Sequence, residues 1–360
     1  SVASLAPDVS NQTITVTENA SINATIALDS GSDIVNMFGE TDAPSWLVLN
    51  QSTGQFLGTA PAFVAGGANT YMVSCKAANV LGGVTNFTVA FVVEVQSYTN
   101  TKSLNFANGV SSYLGGNAAG VTSLERSGNG AGSGDAWSIG MWIKPTTNTS
   151  QGQVIFYYGS ADSANGAHIE VRKTQSGGNN RIRLKYGTAS NHVQLTTTNS
   201  STVMPNNDWA HVLITYSGAQ TGASSGDLNN YYAAFKIYVN GVSVGTSLAH
   251  SNFGWSGALS GQNYRWGRYF AGNYPRDVRY NQMCIWNSDQ SANIAGIYNG
   301  GSTQNMTSAA TMEGSTTGSY AAPAHYYEIE SSVTAINDLN GSVALIGYNF
   351  SSGDLVTDAP

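Results

Sequence analysis

The stretch AFKIYVNGVSVG, residues 234–245, carries a strong local signal for β-structure. Phe235, Ile237 and Val239 recur with the two-residue period of a strand and predict one apolar face. Asn240 and Gly241 follow, and this pair favours a two-residue type I′ turn because both positions need a positive φ. The stretch therefore predicts a tight antiparallel hairpin.

The same two-residue period recurs along the chain between clusters of Gly, Ser and Asn. Further predicted strands are NQTITVTE, FTVAFVVEV, QVIFYYG, RIRLKYG and HVLITYS. Helical periodicity is nearly absent, and we expect a single helical turn in QSANIAGIYNG, residues 290–300, closed by Gly300. The sequence predicts an all-β protein.

The composition limits the classes of partner. Charged residues make up 10% of the 360-residue chain, against about 25% in typical soluble domains. The net charge is -7 and no Lys/Arg cluster occurs, so we expect no nucleic-acid partner. No run of about 18 apolar residues is present, so we expect no membrane insertion. Such a composition suits a virion surface or an extracellular surface.

A polar connector, QSYTNTKS at residues 96–103, separates a strong strand from a new apolar pattern that starts at Leu104. We therefore expect two domains, residues 1–97 and residues 98–360. Cys75 and Cys284 fall in different domains, which predicts two buried free thiols and no internal disulfide.

The first domain has a Trp-anchored strand, a tight turn and a second short strand. Its motif residues are Pro44, Trp46, Leu47, Thr53, Gly54, Gly58, Thr59 and Pro61. This pattern resembles the Ig-like, cadherin-like repeats of bacterial and phage surface proteins. The resemblance implies an Ig-like β-sandwich that acts as a spacer, with Trp46 in its core.

The second domain contains an ordered series of motifs. They are Leu104, Phe106 and Gly109; Trp142, Lys144 and Pro145; Trp209, His211 and Val212; Tyr238 to Gly241; and Ile285, Trp286, Asn287, Ile294, Tyr298, Asn299 and Gly300. Their order resembles the laminin G-like (concanavalin A-like lectin/glucanase) domain, which implies a jelly-roll β-sandwich. The tail, with its Asp-x-x-Gly segment, resembles the end of such domains in phage and other viral surface proteins.

The resemblance includes hydrolases, but the residues do not favour catalysis. Glucanases of this fold use a Glu-x-Asp-x-Glu strand, in which carboxylates face each other across the substrate. The nearest pattern here is YYEIESS, where Glu328 and Glu330 share a predicted strand face without the middle Asp. We interpret them as exposed carboxylates and His211 as a structural strand residue, and we expect no enzyme activity.

The resemblance also implies a candidate calcium site, because many laminin G-like domains bind this ion at one rim through Asp and carbonyl oxygens. Candidate ligands are Asp135, Asp162, Asp227 and Asp277. Asn281 and Gln282, however, replace the two acids of the family's frequent Ile-Asp-Glu-Val segment. We therefore expect no cofactor and keep calcium as an open alternative.

One long loop is the candidate binding surface. In YRWGRYFAGNYPRDVRYNQMCIW, residues 264–286, the flanks alternate as inward strand residues, and residues 267–277 form a loop. The predicted ligand-binding residues, taken to project outward there and in a neighbouring loop, are Trp255, Tyr269, Tyr274, Arg276 and Asp277. Aromatic rings and guanidinium groups suit both sugars and protein partners. Alternatively, Arg265, Arg268, Arg276 and Arg279 only tie down the loop through local carbonyls or Asp277.

These observations predict a non-enzymatic surface structural protein, such as a virion appendage, decoration or fibre component. Its lectin-like domain would adhere to a glycan or a host cell-surface receptor. The alternative is a self-assembling subunit of a secreted cell-surface filament or adhesin that binds no sugar. In either case we expect an oligomer that contacts other virion or surface-assembly proteins.

Overall fold

The computed structural model describes residues 6–30, 35–64, 67–94, 98, 100–106, 112–117, 124, 136–145, 153–159, 168–176, 179–188, 192–198, 204–218, 228–251, 259, 263–269, 278–307 and 320–360. The chain divides into two compact units, Ser1–Ser97 and Tyr98–Pro360. Each unit has its own buried apolar core. Of the helices in the described ranges, none is long and apolar enough to cross a lipid bilayer.

The first unit consists of two small sheets. Its strands are β1 (Gln12–Thr17), β2 (Ser21–Thr25), β3 (Met37–Glu40), β4 (Leu47–Asn50), β5 (Gln55–Thr59), β6 (Thr70–Ala78) and β7 (Val84–Glu94). One sheet has the order β1-β7-β6-β3 and the other β2-β5-β4. β1 lies parallel to β7, whereas the other neighbours are antiparallel.

The predicted turn at Thr53–Gly54 joins β4 to β5. Gly54 has a φ of +70°, and the ring of Phe38 lies where a Cβ atom would stand. Trp46 packs edge-on against Tyr71 and Phe91, with ring centroids 5.1 and 6.2 Å apart. The turn thus needs glycine for both backbone conformation and space, and Trp46 lies at the edge of the core.

The second unit is built from two larger sheets. Its strands are β8 (Ser103–Phe106), β9 (Tyr113–Gly116), β10 (Trp137–Pro145), β11 (Gln153–Gly159), β12 (His168–Ser176), β13 (Asn179–Gly187), β14 (His192–Thr197), β15 (Ala210–Tyr216), β16 (Phe235–Val239), β17 (Val242–Ser243), β18 (Thr246–Ser251), β19 (Tyr264–Trp266), β20 (Val278–Trp286), β21 (His325–Tyr327), β22 (Ala335–Ile336), β23 (Leu345–Tyr348) and β24 (Leu355–Val356).

The β10 sheet has the order β17-β16-β15-β10-β20-β8-β24, with β21 also paired to β20. The β11 sheet has the order β18-β14-β13-β12-β11-β19-β9-β23-β22. Apolar side chains from both sheets join in one core, including Ile139, Ile214, Phe156, Leu184 and Trp266. This arrangement confirms the predicted all-β sandwich.

The hairpin at residues 234–245 forms as predicted. Asn240 and Gly241 have φ values of 49° and 77°, and Val239 pairs with Val242 across the turn. The Asn240 side-chain oxygen accepts the backbone N–H of His211 at 2.9 Å. The turn is therefore linked to the start of the neighbouring strand β15.

Two short α-helices accompany the sheets in the described part of the chain. The helix α2 (Ile294–Tyr298) lies in the predicted helical turn, but Asn299, with a φ of 49°, takes the left-handed cap and Gly300 follows with a φ of 63°. Ile297 packs with Leu213, Trp286 and other residues on the outer side of the β10 sheet. The helix α1 (Leu228–Ala234) was not predicted, because Asn and Tyr are weak helix formers and the segment is only seven residues long.

Both cysteines are free and buried, as the sequence predicts. Burial raises the pKa of the Cys75 thiol to about 11 and that of Cys284 well above its ordinary value. Neither thiol is therefore ionised near neutral pH.

Candidate functional site

A shallow groove of about 310 Å³ lies on the face of the β11 sheet that points away from the core. It is formed by three adjacent strands, β19, β9 and β23. Leu114, Tyr264, Trp266 and Leu345 point from these strands into the core. The residues that alternate with them therefore face outward.

The register arranges the outward residues in rows. Arg265 lies opposite Gly115, which lies opposite Ile346. Tyr113 lies opposite Tyr348 in the next row. At the far end the groove is lined by Asn117, Asn263 and Ala344.

An aromatic stack forms one end of the groove. The rings of Tyr113 and Tyr348 have centroids 4.4 Å apart and an interplanar angle of 7°. Tyr348 remains 40% exposed. The guanidinium carbons of Arg268 and Arg265 lie 4.7 and 5.7 Å from the centroid of the Tyr113 ring. Aromatic faces and cationic planar donors thus meet at one place.

Gly115 lies in the groove against the edges of both tyrosine rings. A Cβ atom there would lie 3.2 Å from the Tyr348 ring and 3.4 Å from the Tyr113 ring, so a larger side chain would press on the stack. Amide groups of Asn117 and Asn263 add hydrogen-bond donors and acceptors at the other end. An apolar ring face beside several polar groups is a suitable surface for a sugar.

The predicted ligand-binding residues have different outcomes. Trp255, Tyr274, Arg276 and Asp277 lie outside the described residues. Tyr269 is described, and the prediction that it projects outward is wrong: its side chain is only 6% exposed.

Tyr269 is buried because its ring covers apolar surface on the outer side of β11. It packs with Val154 and Tyr157, and its centroid lies 5.2 Å from that of Tyr157. The Arg172 guanidinium lies 5.2 Å from its centroid. A ring in this position stabilises the loop end and offers little surface to a ligand.

The arginines that could instead tie down the loop have two kinds of contact among the described residues. Arg265 and Arg268 lie over Tyr113 at the groove. Arg279 forms an ion pair with Asp358, close to the C-terminus. Arg276 and Asp277 lie outside the described residues, so pairing between them stays a prediction.

Asn281 and Gln282, which replace the acids of the family's segment, are buried and hydrogen-bonded. Asn281 and Asn100 exchange two amide hydrogen bonds of 2.8 and 2.6 Å. The Gln282 amide donates to the Tyr98 hydroxyl and the Gln304 carbonyl, both at 2.7 Å. The side chains of Asn281 and Gln282 are therefore used in hydrogen bonds within the protein. Within the described ranges, no group of three or more His, Cys, Asp or Glu is arranged to hold a metal ion.

Glu328 and Glu330 do not lie on a strand face, which corrects the sequence interpretation. β21 ends at Tyr327, and both side chains are half-buried rather than exposed. Glu328 accepts a hydrogen bond from the Tyr98 hydroxyl, and Glu330 accepts the backbone N–H of Thr101 at 3.2 Å. The two carboxylates therefore hold Tyr98 and Thr101 in place.

His211 is a structural residue of β15, as predicted. Its ring packs against Trp142 and Tyr298, with centroid distances of 5.2 and 6.1 Å, and these two rings also contact each other. Burial lowers the pKa of the imidazole to about 3, so the ring stays neutral at physiological pH.

Sequence reasoning did not single out Tyr113, Gly115 or Tyr348. Tyr113 precedes Gly115 by two residues in YLGG, and Tyr348 directly follows Gly347 in IGYN, which is the local signal available. No short-range pattern relates residues 113, 265 and 348, because only the order of the strands brings them together.

Two segments of the chain match known protein families. Residues 116–293 match the family described as "Concanavalin A-like lectin/glucanases superfamily". Residues 3–105 match the family described as "Putative Ig domain". Curated proteins give no match. Tyr113 and Tyr348 lie outside the first segment, so the family match does not account for the aromatic end of the groove.

Several solved structures are similar at low identity. The native heptameric SAP-like pentraxin from Limulus polyphemus is 15% identical, covering 55% of this chain and 82% of that chain, with a TM-score of 0.34. Domains LG4-5 of the mouse laminin alpha1 chain are 9% identical, covering 65% and 50%, with a TM-score of 0.31. The Trypanosoma rangeli sialidase is 12% identical, covering 72% and 36%, with a TM-score of 0.34.

The two sequence matches are consistent with the two separate cores and with the strand content of each unit. The chain is therefore similar, in this order, to the putative Ig domain family over residues 3–105 and to the concanavalin A-like lectin/glucanases superfamily over residues 116–293.

Proposed function

We propose that the second unit is a lectin-like module that binds glycan through the groove on the β11 sheet. The observation that carries this proposal is the stacked pair of Tyr113 and Tyr348 beside Arg265 and Arg268 in the groove. Tyr348 would contact the apolar face of a sugar ring, and the arginines would donate hydrogen bonds to its oxygens. The match to a superfamily that includes lectins supports the same assignment.

We further propose that the module is not an enzyme and works at a virion surface or another extracellular surface. Glu328 and Glu330, the carboxylate pair considered for hydrolysis, hydrogen-bond to residues 98–101. A charged content of 10% and the Ig-like unit ahead of the lectin-like unit suit an adhesive appendage, decoration or fibre component with the first unit as spacer.

Binding to a glycan array, followed by titration of the sugars that bind, tests the proposal. Tyr348→Ala should weaken binding at least about tenfold, since loss of an aromatic anchor commonly costs more than about 1.4 kcal/mol. Tyr348→Phe should retain binding because it keeps the ring. The unfolding midpoint of each variant checks that the fold is intact.

Val242→Ala is the matched control, because Val242 is an exposed apolar residue at the edge of the β10 sheet. It should leave sugar affinity unchanged. A folded wild-type chain that binds no sugar on the array, or a Tyr348→Ala variant that binds as well as the wild type, would rule out this site.

A second candidate function is self-assembly through the first unit. Met37, Val80, Leu81 and Val84 are exposed apolar residues at the turn between β6 and β7 and on the adjacent end of β3. We propose a second copy of the chain as the partner of this end, in a surface filament, adhesin or virion structure. Clustered apolar side chains of this kind often belong to protein interfaces.

A further inference from the structure

The groove has a charge character that distinguishes it from the rest of the chain. The protein carries a net charge of -7 and only 14 Lys and Arg residues. Arg265 lines the groove, and Arg268 lies above its aromatic end. No Asp or Glu occurs among the described residues that line it. The charged side chains that the described residues bring to the groove are therefore both cationic.

The two arginines approach the groove from different positions. Arg265 is paired across β19 and β9 with Gly115, so its side chain starts beside the centre of the groove. Arg268 follows the end of β19, and its guanidinium carbon lies 4.7 Å from the centroid of the Tyr113 ring. A guanidinium above a ring is oriented by that contact, while its N–H donors lie in its own plane.

We infer that the groove is selective for an acidic saccharide. A carboxylate or a sulfate ester on the saccharide accepts hydrogen bonds from Arg268 and Arg265 at the aromatic end of the groove. Guanidinium groups match the paired oxygens of such anions in a bidentate way, which a neutral hydroxyl does not reproduce. This inference rests on the proposed glycan-binding function and adds the class of ligand.

Calorimetric titration of the full-length chain with three matched oligosaccharides tests the inference. The first contains uronic acid, the second is its carboxyl-reduced neutral counterpart, and the third is that neutral sugar carrying sulfate esters. At least one acidic sugar should bind about tenfold or more tightly than the neutral one, since a hydrogen bond to a charged group contributes about that much. Added salt should weaken the acidic sugar selectively.

The two acidic sugars separate the sources of the anion. A preference for the uronic acid identifies a carboxylate, and a preference for the sulfated sugar identifies a sulfate ester. Arg268→Gln should lower the affinity for the preferred acidic sugar about tenfold and change the affinity for the neutral one little. Arg268→Lys should give an intermediate loss, because it keeps the charge without the planar fork.

Lys236→Gln provides the charge-matched control, because Lys236 is an exposed cation on β16 of the other sheet. It should leave the affinity for every sugar unchanged, and the unfolding midpoints confirm that all variants fold. Equal affinity for the acidic and neutral sugars would overturn the inference and leave the lectin proposal intact. Failure of the folded wild type to bind any glycan would overturn the lectin proposal and this inference together.

Discussion

Asp338 shows how one residue of the predicted Asp-x-x-Gly segment organises the tail. Its side chain is 1% exposed, and its carboxylate lies 2.6 Å from Nδ1 of His325. It also accepts backbone N–H groups of Tyr326, Gly341 and Val343 at 3.1, 2.9 and 3.2 Å. Burial raises the pKa of this carboxyl, but the hydrogen bonds outweigh burial and hold it below the ordinary value.

Asp338→Asn should therefore reduce the free energy of unfolding of the second unit by about 2–3 kcal/mol at neutral pH. Since the folded-state pKa is depressed, the ionised group stabilises the fold above about pH 4, and that stabilisation is lost as pH falls further. The difference between variant and wild type should shrink over the same range. Urea unfolding at neutral and acidic pH measures both effects.

Asn337→Ala is the control for this residue, because Asn337 is an exposed neighbour in the same segment. It should change the unfolding free energy by less than about 0.5 kcal/mol. If Asp338→Asn were as stable as this control at neutral pH, the carboxylate would not organise the tail.

At the scale of an element, the last strand closes one edge of the β10 sheet. Leu355 and Val356 of β24 pair with Leu104 and Ser103 of β8. Immediately after this strand, the Asp358 carboxylate reaches two other strands and the start of a third. The final residues of the chain thus connect separate parts of the sheet.

Asp358 lies within 3.1 Å of Lys144 Nζ and accepts the indole N–H of Trp209 at 3.2 Å. It also pairs with Arg279. Burial raises the pKa of the carboxyl, but the hydrogen bonds from Trp209, Lys144 and Arg279 outweigh burial and hold it below its ordinary value. Stabilisation by Asp358 is therefore present at neutral pH and is lost as pH falls below about 4.

Asp358→Asn should cost about 1–2 kcal/mol of unfolding free energy at neutral pH, because the side chain is partly exposed and solvent screens the pairs. A double-mutant cycle with Lys144→Met should give a coupling energy of about 0.5–1 kcal/mol that decreases with salt. Denaturant unfolding of the four proteins supplies the cycle. A coupling of zero would mean that the Lys144 contact does not stabilise the edge.

Across the whole molecule, the sequence predicts those structural features, such as turns, that depend on residues adjacent in the chain. Asn240–Gly241 determines a hairpin because both φ requirements are local, and Gly54 marks a turn for the same reason. The groove is different, since Tyr113, Arg265 and Tyr348 become neighbours only through strand order. The prediction that Tyr269 projects outward is wrong because a polar loop sequence does not reveal the apolar surface that the Tyr269 ring covers.

The exposed end of the first unit bears on how the whole molecule assembles. Val80 and Leu81 are 79% and 68% exposed. The turn that holds them is ordered, because the Asn79 side chain accepts the backbone N–H groups of Leu81 and Gly83 at 3.1 and 2.8 Å. These side chains are therefore presented on a fixed turn.

If this end binds a second copy, light scattering after gel filtration should give a mass that rises with concentration, and Leu81→Glu should restore a monomer by placing a charge in the contact. Val242→Glu, a charge added at an exposed apolar site of the second unit, should leave the oligomer intact. A monodisperse wild-type monomer at the highest concentration would refute self-assembly through this end and leave glycan binding untouched.

If the oligomer forms, several grooves can engage one glycan-coated surface, and avidity then exceeds single-site affinity by about 10²-fold or more when the geometry allows simultaneous binding. Leu81→Glu should then weaken adhesion to that surface without changing the affinity for a soluble monovalent sugar.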